Sequence, residues 1–325
     1  MARIIHRVSI MSMKILTVVH WADLFQLALQ AESLSKFWLG DKRWTIVIED
    51  SLLLVQQHSL EWCKKNIHIE GWNIDFIIPN TPEIRFNGWI RQQQFKLYYS
   101  AHAIEDWVLV LDAKNFMIRP TDKSFFIRND TVIYLPAFNT TEFFKRTTEG
   151  AAELLNMYDP IPEAASMTPW VFNKKEVLNL ITKLGIDTNN WPMPTYATEF
   201  TLYWLWSYSK FNWTPIQFVT GFWQGEYSNT INTIPSIFDI KEGARNSDDL
   251  RFWTHHRYTL DHVARQLTME LLEEMGLSKN VINQWNFRFE ENLNNINARI
   301  HQEFLKNKQG ADPGFNSQWY NNITI

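Results

Sequence analysis

The chain has 325 residues, 45% of them apolar and 20% charged, long enough to bury one large or two ordinary α/β cores and too apolar for a disordered protein. Thirty-one basic residues against 35 acidic ones give a formal charge of −4 with no Lys/Arg block, which excludes an electrostatic footprint for nucleic acid. A single cysteine, Cys63, excludes an intrachain disulfide framework and a cysteine-rich zinc site, fits a reducing cytoplasm, and stands in a chain with no apolar run of transmembrane length.

In chain order, Met1 to Met13 carries two arginines and a short, broken apolar region; it is a poor signal peptide and reads as an extension before the first strand. Lys14 to His20 is that strand. Asp23 then stands at an N-cap position with Gln26 three residues on, and Leu24, Leu27, Ala28, Ala31 and Leu34 follow at helical spacing. Trp44 to Ile48 is the second strand, ending in Glu49 and Asp50, and a helix follows to about Lys65. Asp75 to Pro79 reads as a third strand, and Gly88 to Tyr99 as a helix. Gln92, Gln93 and Lys96 are spaced three and four apart there, so amide donors and a cation share a helix face suited to phosphate, ribose or sugar hydroxyls, or simply to water.

Val108 to Leu111 is a run of four apolar residues without alternation, the pattern of a strand buried on both sides. Asp112 stands where it emerges. In open α/β sheets ligands collect beyond the carboxyl ends of the strands, so this acid is placed to meet one, although Asp also commonly opens a turn. Thr131 to Pro136 and Met167 to Phe172 are further strands, with a helix near Glu149 to Met157 between them. Lys174 to Leu184 is a helix stopped by Gly185, and Thr198 to Trp206 is a buried helix with Glu199 in its first turn, where the helix dipole favours a carboxylate. Phe218 to Phe238 is irregular. A helix carrying Leu260 to Leu271 on one face stops at Gly276, and a polar helix from about Lys279 to Lys308 carries Trp285, Phe289, Leu293 and Ile296 as an apolar stripe, a surface for the main domain or for a second subunit.

Alternating β and α elements predict a Rossmann-like α/β fold: a mainly parallel sheet flanked by helices over residues 13–260, with a helical C-terminal extension and tail over 261–325. The strand ends collect His20, Asp23, Glu49, Asp50 and Asp112, a set suited to ribose hydroxyls, a base edge or a divalent cation. Sixteen tryptophans offer faces for sugar rings or bases, though most are expected in the core.

Gly88-Trp-x-x-Gln-Gln-x-x-Lys-Leu97, the hydrophobic strand ending in Leu111-Asp112-Ala113-Lys114, and Thr198-Glu199-Phe200-x-x-Tyr203 occur in an order that resembles the GT-A type of nucleotide-sugar glycosyltransferase, in particular a bacterial and phage branch of it. The resemblance implies a GT-A fold and transfer of a sugar from a nucleoside-diphosphate sugar to a glycan or other hydroxyl acceptor. It implies that Asp112 meets ribose or a Mn2+ or Mg2+ ion on the donor diphosphate. His20, Asp23, Asp50, Gln92, Gln93 and Lys96 would then surround the donor, and His255 or His256 would ligate the metal or meet the leaving phosphate. Lys114 stands where the family's second acid would be. An ammonium cannot bind a cation, but it can neutralise a diphosphate itself, so the resemblance and this residue point in opposite directions on metal. Glu199 would be the base that activates the acceptor if transfer inverts, or would position the acceptor or reacting sugar if it retains. The degenerate motif also fits a catalytically silent nucleotide- or glycan-binding protein. A nucleotidyltransferase is disfavoured, because the turn after the first strand, His20-Trp-Ala-Asp-Leu24, holds no glycine for a phosphate loop.

Overall fold

A computed structural model of the chain describes residues 12–49, 53–79, 88–128, 131–132, 142–157, 168–192, 196–211, 252–254 and 262–291. Strand β1 (Met13–His20) leads through a 3-10 turn (Trp21–Asp23) into α1 (Leu24–Phe37), then β2 (Arg43–Glu49), α2 (Leu53–Asn66), β3 (Asn73–Ile77) and α3 (Gly88–Ala101). Strands β4 (Trp107–Val110) and β5 (Asn115–Met117) precede a short helix α4 (Lys123–Phe126) and a hairpin of β6 (Ile127–Arg128) and β7 (Thr131–Val132). Helix α5 (Glu142–Leu155), β8 (Trp170–Asn173), α6 (Lys174–Leu184), α7 (Glu199–Phe211), β9 (Phe252–Thr254), α8 (His262–Glu274) and α9 (residues 279–291) complete the described elements.

The central sheet has the order β3-β2-β1-β4-β8. The first four strands are mutually parallel, and β8 runs antiparallel to β4. The expected mixed α/β architecture, a mostly parallel sheet with helices on its faces, is what the chain adopts. Side chains alternate along a strand, so each strand divides its residues between two cores. Met13, Ile15 and Val19 of β1, Trp44, Ile46 and Ile48 of β2, and Trp107, Leu109 and Leu111 at β4 join a first core with α1, α8 and α9. Leu16 and Val18, Val47, and Val108 and Val110 join a second core with α3, α5, α6 and α7. The tryptophans supply bulk to both: Trp44, Trp204, Trp253 and Trp285 are among the largest fully buried side chains.

Several boundaries differ from those expected. The third strand spans Asn73–Ile77 rather than 75–79, because its register follows β2 from Arg43↔Asn73 onward. The described part of the strand expected at 131–136 pairs with Ile127–Arg128 in a hairpin and not with the main sheet. Helix α5 begins at Glu142, well before the expected start at 149. Asp23 is the N-cap of α1 by position but makes no side-chain cap bond; His20 Nδ1 instead accepts from the amide of Ala22 and caps the intervening 3-10 turn. The stop signals hold. Gly185 has φ 64 and Gly276 φ 80, left-handed conformations that glycine adopts without a Cβ penalty. The amides of Ile186 and Leu277 then reach back to the carbonyls of Ile181 and Leu272, closing both helices. The irregular segment at 218–238 and the chain beyond 291 lie outside the described residues.

Helices α8 and α9 belong to the first core. Trp285 stands edge-on to Phe116 of β5 with centroids 6.2 Å apart, and Trp253 Nε1 donates to Thr268 of α8 at 3.1 Å. Among the described residues no helix is long and apolar enough to cross a membrane.

Candidate active site

The alternation of β4 decides where Asp112 goes. Leu111 still donates its amide to Leu16 and turns into the first core, so Asp112 falls to the opposite side, toward α3 and α7. Glu49 follows the same parity at the end of β2. Helix α3 lies over both strand ends and presents a cation to each: Arg91 Nε stands 3.3 Å from Glu49 Oε1, and Lys96 Nζ 2.7 Å from Asp112 Oδ1. Five residues of helix advance about 7.5 Å, close to the roughly 9.5 Å between strands two positions apart, so one helix serves both acids.

Lys96 is shared. Its ammonium also lies 2.8 Å from Glu199 Oε1 and 5.1 Å from the centre of the Phe200 ring. Thr198 N-caps α7: its hydroxyl accepts from the amide of Thr201, whose hydroxyl accepts from the amide of Thr198, and this reciprocal cap fixes the helix start where Glu199 sits. Trp170 stacks on Phe200 at 5.0 Å, and Tyr203 accepts from the amide of Asn173 at 3.0 Å, which together lock α7 against β8.

Asp112 is gripped on its other oxygen as well. Thr168 donates to Oδ2 at 2.9 Å, and Lys114 Nζ lies 3.7 Å from the same atom. The turn that carries it is held from below. Gln30, fully buried in α1, donates to the carbonyls of Asp112 at 2.8 Å and Asn115 at 3.0 Å, while its own oxygen accepts from Thr17 and Thr17 accepts from Trp44. Asn115 Oδ1 accepts from the amide of Asp112 at 2.7 Å.

Exposure separates the members of the group. The side chain of Asp112 is 26% exposed and that of Lys114 18%, whereas Lys96 is 4% and Glu199 0% exposed. Asp112 and Lys114 are therefore the members that solvent reaches, with Lys96 and Glu199 enclosed behind them. Burial opposes ionisation of Asp112, but the neighbouring Lys96, then Lys114, then the hydrogen bonds from Lys96 and Thr168 outweigh it and hold its carboxyl well below the usual range. Burial opposes the charge on Lys96 too, and Asp112 with Glu199 outweighs it, so its ammonium is held above its ordinary value. For Glu199 burial wins. A shared Lys96 offsets only part of it, Asp112 adds repulsion, and the carboxyl is pushed up; its Oε2 makes no hydrogen bond to another described residue.

The structure thus brings together four of the residues singled out from the sequence, Lys96, Asp112, Lys114 and Glu199. Gln93 is buried and Gln92 half-buried, one turn before Lys96 on α3. His20 ends β1, opposite Glu49 of β2, and Asp23 Oδ1 accepts from Gln26 at 3.1 Å at the start of α1. Asp50, His255 and His256 lie outside the described residues; β9 ends at Thr254, opposite Asn115 of β5. Sequence reasoning missed Gln30, Thr168 and the Arg91–Glu49 pair. A signal for Gln30 exists: it follows Leu27 by three on the apolar stripe of α1, and a polar residue at a core position has a hydrogen-bonding task. Nothing in the local pattern marks Thr168.

Among solved structures the chain is similar to the apo form of WbbM, a bifunctional glycosyltransferase, at TM-score 0.46 and 11% identity over 85% of this chain and 52% of that one. It is similar to the galactosyltransferase LgtC in complex with donor and acceptor sugar analogues, at 0.41 and 13% over 83% and 99%. The apo glycosyltransferase GlyE of Streptococcus pneumoniae TIGR4 gives 0.42 and 13% over 86% and 62%. The chain thus spans about half the length of WbbM. Comparison with curated proteins gives no match. The model of a protein family described as a family of unknown function, DUF6492, matches residues 7–217, about two thirds of the chain, and the protein belongs to that family.

Proposed function

We propose that the protein is a glycosyltransferase that moves a sugar from a nucleoside-diphosphate sugar to a glycan or other hydroxyl acceptor. The observation that carries this reading is the setting of Asp112: a partly exposed carboxylate just beyond the carboxyl end of a parallel strand, ionised by its surroundings, with the partly exposed Lys114 ammonium 3.7 Å away. A carboxylate accepts hydrogen bonds from a pair of hydroxyls, as ribose or a sugar offers, and an ammonium meets a diphosphate. A sugar nucleotide carries both groups next to each other. The order of motifs from Gly88 to Tyr203 supports the same class.

In this reading Asp112 orients the donor and Lys114 takes up the charge that grows on the departing nucleoside diphosphate, where a fixed cation is worth most. Lys96, itself held by Glu199, holds Asp112 in place from behind. The base's role that the resemblance gives Glu199 needs contact with an acceptor hydroxyl, and its side chain is enclosed; a positional role suits that enclosure better. Gln92, Gln93, His20 and Asp23, with Asp50 and His255, are proposed to complete the donor's surroundings, and the lone, buried Cys63 suits a reducing cytoplasm.

A second reading, a silent nucleotide- or glycan-binding protein, is favoured by the enclosure of Glu199 and by Lys114 standing in the motif's acidic position. Turnover separates the two. The purified chain is incubated with UDP-, GDP-, ADP- and dTDP-sugars, and release of nucleoside diphosphate is measured with Asp112→Asn as control. Release that the substitution abolishes supports the transferase. Binding without release supports the silent protein, and neither binding nor release removes both.

A further inference from the structure

We propose that Lys96 is a built-in cation that holds the position a divalent metal ion would take against Asp112, so that the site receives the diphosphate of its nucleotide without a metal. The diphosphate part of this inference rests on the function proposed above; the exclusion of the metal does not.

The resemblance implies Mn2+ or Mg2+ at Asp112, and the donor set does not fit either ion. Such ions sit roughly 2.0 to 2.6 Å from carboxylate oxygens. Oδ1 already has the Lys96 ammonium at 2.7 Å, and Oδ2 accepts from Thr168 at 2.9 Å with Lys114 at 3.7 Å. A metal at either oxygen would be thrust against an ammonium. Lys96 has no way to withdraw: its side chain is 4% exposed, a second carboxylate holds it at 2.8 Å, and the Phe200 ring lies 5.1 Å away. Asp112 already has two ammonium groups against it, Lys96 and Lys114, so a further double positive charge would add repulsion at the same carboxylate. Among the described residues no three His, Cys, Asp or Glu side chains converge as a ligand set.

The same solution is used two strands over, which makes it a property of helix α3 and not an accident at one residue. Glu49, 1% exposed at the end of β2, faces Arg91 of α3 at 3.3 Å. Both acids at these strand ends are thus met by protein cations from a single helix. Lys114, whose side chain is 18% exposed beside Asp112, is the group proposed to meet the diphosphate.

The test needs no activity. Mn2+ is titrated into the full chain and followed by electron paramagnetic resonance, and UDP, GDP, ADP and dTDP are titrated calorimetrically with Mn2+ and with chelator. Wild type should take up no stoichiometric Mn2+, and the affinity for the nucleotide that binds should change less than about twofold on chelation. Lys114→Ala should weaken that nucleotide about tenfold, the loss of one charge-assisted contact. Lys96→Ala leaves two carboxylates facing one gap and should gain Mn2+ uptake; the wild-type titrations decide the matter if that variant does not fold. Stoichiometric Mn2+ on wild type that Asp112→Asn removes would overturn the inference. If no nucleoside diphosphate binds with or without Mn2+, the proposed function and the diphosphate role of Lys114 fail together, while the Mn2+ titration still reports on the place Lys96 holds.

Discussion

Lys96 Nζ lies 2.7 Å from Asp112 Oδ1, joining the middle of α3 to the residue that leaves β4, with only 4% of the lysine side chain exposed. Removing one partner from a buried charged group strands the others without compensation, and the penalty is typically about 3–5 kcal/mol. Lys96→Met should lower unfolding stability by that order in urea titration, and Lys96→Met combined with Glu199→Gln should restore part of it. A loss under about 1 kcal/mol would mean the contact contributes no more than an exposed surface pair.

The two carboxylates on Lys96 should respond to pH in opposite senses. Asp112 is held below its ordinary value of 3.8, so the stability it contributes is full above that pH and is lost as pH falls through the native value. Glu199 is held above 4.5, so its contribution is full below that pH and is lost as pH rises through the native value. The stability difference between wild type and Asp112→Asn should therefore shrink on acidification. The difference between wild type and Glu199→Gln should shrink as pH rises above 4.5. Parallel slopes for the two variants in calorimetric or denaturant titrations would show that burial does not win at Glu199.

Gln30 is the support beneath the site. Gln30→Ala leaves the carbonyls of Asp112 and Asn115 and the hydroxyl of Thr17 without this partner, at a cost of about 1–3 kcal/mol. Hydrogen exchange should accelerate in residues 112–117 before it does elsewhere in the sheet. An unchanged exchange pattern with a uniform loss of stability would make Gln30 a packing residue only.

The C-terminal helices are expected to be part of the same cooperative unit as the sheet. Trp285, 1% exposed, packs with Phe116 and Phe289 in the first core. Trp285→Ala should cost about 3–5 kcal/mol, the range for a large aromatic removed from a core. A single unfolding transition shifted to lower denaturant is the expected result; two separated transitions would show the extension over 261–325 to fold independently.

The linear sequence determined what depends on local pattern. Val108 to Leu111 reads as a strand buried on both sides because the parallel sheet is covered on both faces, and Gly185 and Gly276 end helices because only their φ allows the closing turn. The sequence also put an acid at the end of β2 and another beyond β4, and the period of two on each strand already sends Glu49 and Asp112 to one side of the sheet. What those acids meet was decided by the tertiary structure alone. Lys96 stands 16 positions before Asp112 and Glu199 lies 87 after it, separations read from the numbering. On α3 by itself, Lys96 with Gln92 and Gln93 has the pattern of a solvated face. Only the packing of α3 and α7 over the strand ends removes the water, and that step turns three unremarkable charges into one buried, mutually compensating group.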